Sequence, residues 1–328
     1  SLIVAAGVAT LDPQTAGQTL STFFSSVQAA GVEYTDLKNS GDAAGAAAAI
    51  SQVRASTIDP FLAQANSGQD ITMTSSQIST AGGGSIFVLA TGALNVGTTL
   101  LASASQGSTG ILTETGGAVN IFTVGDLNVN QSRLMTFQGG DITVWSDQGS
   151  INAGKGSKTA INASPPQYSC SNGVCTETFT PPAVGSGIRA LTYATNPNTP
   201  APPEGNIYLF APSGDIDAGE AGISGGTVVL GATAILNASN ISFSTGSVGL
   251  PAASQGVSLG ALTGTSDMSK STISSDTGAL ATSQERVTSA QPIEDMVVKW
   301  IDVKVMSYDL TFGGDDTSEE NDDSRKKK

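Results

Sequence analysis

The sequence predicts an all-β solenoid that carries a small helical unit near its N-terminus. Three observations lead there. First, one phrase is written repeatedly: a Gly, a short alternating apolar strand, a tight Gly turn and a second short strand. Its clearest copies are residues 140–154 and 205–219, in which Ile142 precedes Ile151 and Ile207 precedes Ile216 by nine residues. Second, looser copies at 84–96, 117–129 and 226–238 place anchors at Ile86, Val119, Ile142, Ile207 and Val228, with gaps of 33, 23, 65 and 21 residues. Recurrence at such spacing marks units that cannot bury an apolar face alone and must stack. Third, the composition suits tight corners and stacked β-branched cores: 39 Gly, only 5% aromatic and 13% charged residues.

In chain order, residues 1–8 read as an apolar strand outside any coil, too short and too poor in basic residues for an intact signal peptide. The chain therefore reads as a mature piece or as a segment of something longer. Residues 9–66 read as a helical insertion or cap. Asp12-Pro13 opens a helix that shows Leu20, Phe23, Phe24 and Val27 on one face, with Gly31 as its stop. An Ala-rich second helix covers 42–58 and ends at Asp59-Pro60. Residues 67–251 then switch to period two and form the solenoid, with a core of Ile86, Val88, Val119, Ile121, Ile142, Val144, Ile151, Ile207, Leu209, Ile216, Val228 and Leu230. Roughly eight to ten coils are expected, an axis of about 40–50 Å.

Residues 162–203 break the pattern with Pro165, Pro166, Pro181, Pro182, Pro197, Pro200, Pro202 and Pro203, and so read as an excursion. Within it, Asn172-Gly173 between Cys170 and Cys175 signals a hairpin tip closed by a local disulfide. Free thiols and half a metal site are the other readings of the pair. Residues 252–291 form a Ser/Thr-rich linker. Residues 292–312 form a C-terminal strand segment that places Met296, Val298, Trp300, Tyr308, Leu310 and Phe312 on one face, and 313–328 is a charged disordered tail. Leu2, Ile3 and Val4 and the apolar face of 292–312 are the candidate assembly strands, because open solenoid ends template further pairing.

Several chemistries fall away. The chain has no His, which removes His-dependent triads and His metal ligands. A net charge of −14 repels nucleic acid. No run of about 18 apolar residues is present, so no membrane span is expected. No cofactor or metal signature appears: residues 154–159 miss the phosphate-loop spacing, and the Gly-rich calcium nonapeptide does not occur. Paired acids remain. Asp141, Asp147, Asp215 and Asp217 would stack across coils and could serve a polysaccharide lyase or hydrolase. Asp beside Gly is more often a turn former that caps local backbone. Trp145, Tyr208 and Phe210 occupy matched places, as a stacked core ladder or an exposed glycan-binding face.

Residues 139–159 and 210–223, together with 129–133 and 185–189, resemble the C-terminal region of filamentous-haemagglutinin-like large exoproteins of the two-partner secretion family, and the similarity extends by segment order over 10–250. The resemblance implies a right-handed parallel β-helix, secretion across a Gram-negative outer membrane through a partner pore, and a non-enzymatic role as adhesin or surface fibre, with no catalytic residues to carry over. The expected partners are a second copy of the chain, or surface glycans or proteins. The expected location is the cell surface, the medium or a biofilm matrix. The alternative is a carbohydrate-active β-helix enzyme that uses the paired Asp residues.

Overall fold

The computed structural model describes residues 1–97, 109–156, 167–171, 174–178, 185–193 and 200–250, all within one compact unit, Ser1–Asp267. The linker 252–291, the strand segment 292–312 with Met296, Val298, Trp300, Tyr308, Leu310 and Phe312, and the tail 313–328 lie outside the described residues.

The chain winds as a parallel β-helix with three columns of strands. The first column stacks β1 (Leu2–Ala6), β4 (Ile86–Ala90), β7 (Val119–Thr123), β10 (Ile142–Ser146), β15 (Ile207–Ala211) and the end of β17 (Ile223–Ala232). The second stacks the short strands β2 (Ile71–Met73), β5 (Leu94–Val96), β8 (Leu127–Asn128), β11 (Ile151–Asn152), β16 (Ile216–Asp217) and β18 (Ile235–Leu236). The third stacks β3 (Gln77–Thr80), β6 (Gly110–Thr113), β9 (Arg133–Phe137), β14 (Gly187–Leu191), the start of β17 and β19 (Ile241–Val248). Because β17 runs on through a corner, the first and third columns join into one sheet of 11 strands. An antiparallel hairpin, β12 (Gln167–Ser171) and β13 (Val174–Thr178), stands apart from the columns.

The sequence anchors coincide with the ladder. Ile86, Val119, Ile142, Ile207 and Val228 are register partners in turn, and so are Val88, Ile121, Val144, Leu209 and Leu230. Every expected core residue is buried and belongs to one cluster running up the solenoid interior. The second column is 6 strands deep, so the described residues form six coils, not eight to ten, and about 24 Å of axis. The shortfall arises because each coil spends three strands rather than the two of the repeated phrase, so the same length of chain makes fewer rungs.

Small corners let the rungs stack. Gly117, Gly140 and Gly205 each have the carbonyl of the preceding coil's corner Gly (Gly84, Gly117 and Gly140) where a side chain would begin. That explains why these three phrases open on Gly: a methyl group there would force coils apart. The hydroxyls of Thr80, Thr113 and Thr136 close the same corner, donating to the carbonyls of Gly84, Gly117 and Gly140.

The segment 1–8 is not outside the coils. β1 is the first rung, paired with β4, and Val4 faces the core. The helical unit therefore interrupts the first coil, between β1 and β2. Its α1 (Ala16–Asn39) does not stop at Gly31. The helix continues because Gly31 is a packing residue, against which the Phe210 ring lies. Asp42 caps α2 (Ala43–Val53) by accepting from the Gly45 amide at 2.8 Å. Asp59-Pro60 does not end the helical path either. A π-helical turn, Arg54–Ile58, leads directly into α3 (Asp59–Leu62), which carries Pro60 near its start.

α1 lies along the outer side of the first column. Phe24 packs on Phe87 at 5.8 Å and Phe23 on Phe122 at 5.3 Å between ring centroids. Further along, Gly31 meets Phe210 and Thr35 approaches Gly231. The match is metric: eleven residues from Phe24 to Thr35 rise about 17 Å, and the four rung steps from Phe87 to Gly231 rise about 19 Å.

Candidate functional site

The acidic turns come first, since they carried the only enzymatic reading. Asp141 Oδ1 accepts from the Asn206 amide at 2.7 Å. Asp217 Oδ1 accepts from the Gly219 amide at 2.8 Å and from Asn237 Nδ2 at 2.6 Å. Asp215 accepts from the Thr233 hydroxyl. Asp147, almost wholly buried, takes Arg54 Nε at 2.9 Å and Trp145 Nε1 at 3.3 Å on one oxygen. Each of the four is thus a local acceptor.

The pattern extends beyond these four residues. Ser85, Asp141 and Asn206 accept from the amides of Ala118, Asn206 and Thr227, each in the next coil. At a second corner Asp70, Asp126 and Ser150 accept from the amides of Ala93, Ser150 and Asp215. Short polar side chains before a strand therefore satisfy the corner amide of the following rung. Among the described residues no group of three or more Asp, Glu, His or Cys side chains could hold a metal ion.

Trp145 and Phe210 form the expected stacked core ladder, in a core on the outer side of the first column rather than in the solenoid interior. Leu89, Phe122, Trp145 and Phe210 are register neighbours on the outer side of the first column. They form a second core with Leu20, Phe23, Phe24 and Val27 of α1. Trp145 and Phe210 pack at 5.9 Å, outside the solenoid interior and covered by the helix. Tyr208, half-buried, has its phenol pushed up by burial and by the charge of Asp141, against a hydrogen bond with Gln28 that lowers it.

Where the helical unit meets the solenoid, two cations bind it down. Lys38, near the end of α1, donates to the carbonyls of Ala232 and Thr233. Burial pushes its ammonium down, opposed by Asp215. Arg54 opens the π-helical turn and donates from Nη2 to the Asp147 carbonyl at 2.7 Å and to Ser213 Oγ at 2.9 Å. Between them runs a groove of about 400 Å³, lined by Tyr34, Lys38, Ile50, Ser51, Arg54 and Ser213 among others. The sequence reading missed this place. Lys38 and Arg54 look like ordinary surface bases in a helical stretch, and a π turn has no sequence signature.

Elsewhere on the third column Arg133 is buried and Arg189 half-buried, and desolvation lowers both pKa values. Arg189 is held by the carbonyls of Ser186 and Ala221. The hairpin sets Cys170 opposite Cys175. The first-coil strands β1, β2 and β3 each pair on one side only among the described residues. Leu2, 38% exposed, lies on the first rung, and Leu236, 45% exposed, lies on the last rung of the second column.

Coils four to six hold most of the phrases on which the sequence resemblance rests, stacked without a break from β10 to β19, and 129–133 lies in coil three just before them. Residues 139–252 match a family model described as "Filamentous haemagglutinin family outer membrane protein". No curated protein and no solved structure matches the chain. The filamentous haemagglutinin match begins at the corner Gly139-Gly140 and ends just past β19, so it takes in both clear copies of the phrase and the hairpin. The helical unit and the first three coils lie outside it, although their rungs continue the same ladders. No described helix is long and apolar enough to cross a membrane.

Proposed function

We propose that this chain is a non-enzymatic structural or adhesive protein of the filamentous haemagglutinin type, displayed at the outer surface of a Gram-negative cell or released from it. The observation that carries the reading is the family match over 139–252, on rungs whose corner acids all serve as local acceptors. An exoprotein role agrees with the acidic, Gly-rich composition. Export runs through a dedicated outer-membrane partner pore. The cysteines form a local disulfide across the hairpin, a reading supported by the Cys170–Cys175 register and by the lack of any free cysteine among the described residues.

Copies of the chain associate end to end. The support is the one-sided pairing of β1, β2 and β3, with exposed Leu2 and Leu236 on terminal rungs. The contact partner is a second copy; surface glycans or proteins are the targets of adhesion.

Surface labelling and adhesion of cells that express the chain, with and without the partner pore, test display and binding. Sedimentation and negative-stain microscopy of the wild type, of Leu2→Lys and of a chain lacking 293–312 test assembly. Fibres lost in Leu2→Lys support the end-to-end contact, and a monomer at every concentration overturns it. Polysaccharide depolymerisation abolished by Asp141→Asn or Asp215→Asn would overturn the non-enzymatic reading.

A further inference from the structure

We infer that Lys38 is a ladder cap: its ammonium stands in for the backbone amides that a further coil would bring to the corner after the first column, and it holds that corner closed to an added strand. The inference deepens the end-to-end reading, whose contact it regulates, and rests on that reading for its biological use.

The argument starts from a repeated bond. Ala6, Ala90, Thr123, Ser146, Ala211 and Ala232 end the successive strands of the first column. In the lower coils the carbonyl at this place accepts from the amide that follows the next strand: Ala6 from Thr91 at 3.1 Å, Ala90 from Val124 at 3.1 Å and Thr123 from Asp147 at 2.9 Å. The carbonyl one residue on does the same, Val124 accepting from Gln148 at 2.9 Å. In coil six these two places are Ala232 and Thr233, and both carbonyls accept from Lys38 Nζ. One ammonium, with three donors, thus fills two acceptor sites that amides fill elsewhere. The strand laid on β17 gives out before it reaches them, since their register partners end at Val229 and Val248.

Helix length places the ammonium. Thr35 approaches Gly231 in coil six. Lys38 lies one helical step of about 4.5 Å further on, and one rung step is about 4.8 Å. α1 therefore carries Lys38 to the level of the missing amides. The ammonium also lies over the Tyr34 ring, 6.0 Å from its centroid, which steadies it. The same substitution occurs lower on this corner. Arg54 Nη2 donates to the Asp147 carbonyl at 2.7 Å, at the place where Gln148 serves Val124 one coil below. Pro212, which follows the strand in the next coil, has no N–H to offer. Two bases of the helical unit thus serve one corner where ladder amides run out. Unpaired edge carbonyls template strand addition, and an edge lysine is a known way to prevent it.

Sedimentation and hydrogen exchange of the full chain test the cap. Lys38→Ala should associate at a concentration about tenfold below wild type, because the closed state no longer competes with the added strand. Lys38→Arg keeps donors and reach and should behave as wild type. Lys155→Ala, which removes an exposed base after the second column, should also behave as wild type. Amides of residues 230–235 should exchange at least about tenfold faster in Lys38→Ala and at the wild-type rate in Lys38→Arg. Unchanged exchange in Lys38→Ala overturns the cap, and so does an equal gain of association in Lys155→Ala. Wild type and Lys38→Ala that associate at the same concentration overturn the cap and leave the end-to-end reading standing. Faster exchange at the corner with every chain monomeric overturns the end-to-end reading and leaves the cap.

Discussion

The α-carbon of Gly31 lies against the ring of Phe210, so close that a β-carbon there would sit 2.5 Å from three ring atoms. A residue in mid-helix thus couples α1 to the fifth coil. Gly31→Ala raises helix propensity and should nonetheless destabilise the chain by about 1–3 kcal/mol, because ring or helix must shift. Gly17→Ala, in the first turn of the same helix with nothing within 4 Å, should be neutral or stabilising by up to about 1 kcal/mol. Urea midpoints of the two variants check the sign of each.

The corner glycines should be the least replaceable residues of the solenoid. At Gly140 a methyl group would overlap the Gly117 carbonyl, which is backbone and cannot rotate away. Gly140→Ala should cost about 3–5 kcal/mol or prevent folding. Gly246→Ala, with open space around it, should change stability by less than about 0.5 kcal/mol. Circular dichroism and denaturant titration of both variants decide the matter.

Asp147 joins the two layers. It takes Arg54 Nε and Trp145 Nε1 on one oxygen, so Asp147→Ala leaves two donors without their acceptor. A loss of about 2–3 kcal/mol is expected, together with a change in Trp145 fluorescence. Molar salt should not reproduce the effect, because the Asp147 side chain is only 7% exposed and screening acts on exposed pairs. Equal weakening of the wild type by salt would contradict this account.

Alkaline stability follows from three groups. Burial raises the phenol pKa of Tyr34, and burial with the charge of Asp141 raises that of Tyr208, both from 10.0. A raised folded value means that stability is fully present below pH 10.0 and is lost as pH climbs through the folded values. Lys38 acts oppositely: its pKa is lowered from 10.5, so stability rises as pH climbs through its folded value towards 10.5. Phenolate absorbance should show two of the 5 Tyr titrating later in the folded than in the unfolded chain. Lys38→Met should remove the rise and leave the loss above it.

The proposed Cys170–Cys175 disulfide predicts no alkylation before reduction and reaction of both thiols afterwards. A ring this small stabilises by about 2 kcal/mol at most. Because the hairpin stands apart from the columns, Cys170→Ser should leave the main unfolding transition in place.

Sequence alone determined the inner half of this protein. The solenoid interior repeats, and a side chain that must stack on its counterpart from the previous coil writes its constraint as local pattern. Hence Ile86, Val119, Ile142, Ile207 and Val228 could be aligned by eye and prove to be register partners. The Gly corners and the backbone-capping role of Asp141 and Asp217 were legible for the same reason, whereas Asp147 and Asp215 take side-chain donors. Tertiary structure decided the outer half. The outer residues Phe122, Trp145 and Phe210 recur from coil to coil, but the α1 helix that covers them occurs once and comes from far away in the chain, so no periodicity announces which partner they take. Gly31 reads as a helix stop until the Phe210 ring shows what the missing side chain admits. Lys38 and Arg54 read as surface charge until distant carbonyls, Asp147 and Ser213 arrive beside them. Contacts that recur from coil to coil are written in the sequence many times, whereas those made once across the fold appear only when the chain has closed on itself.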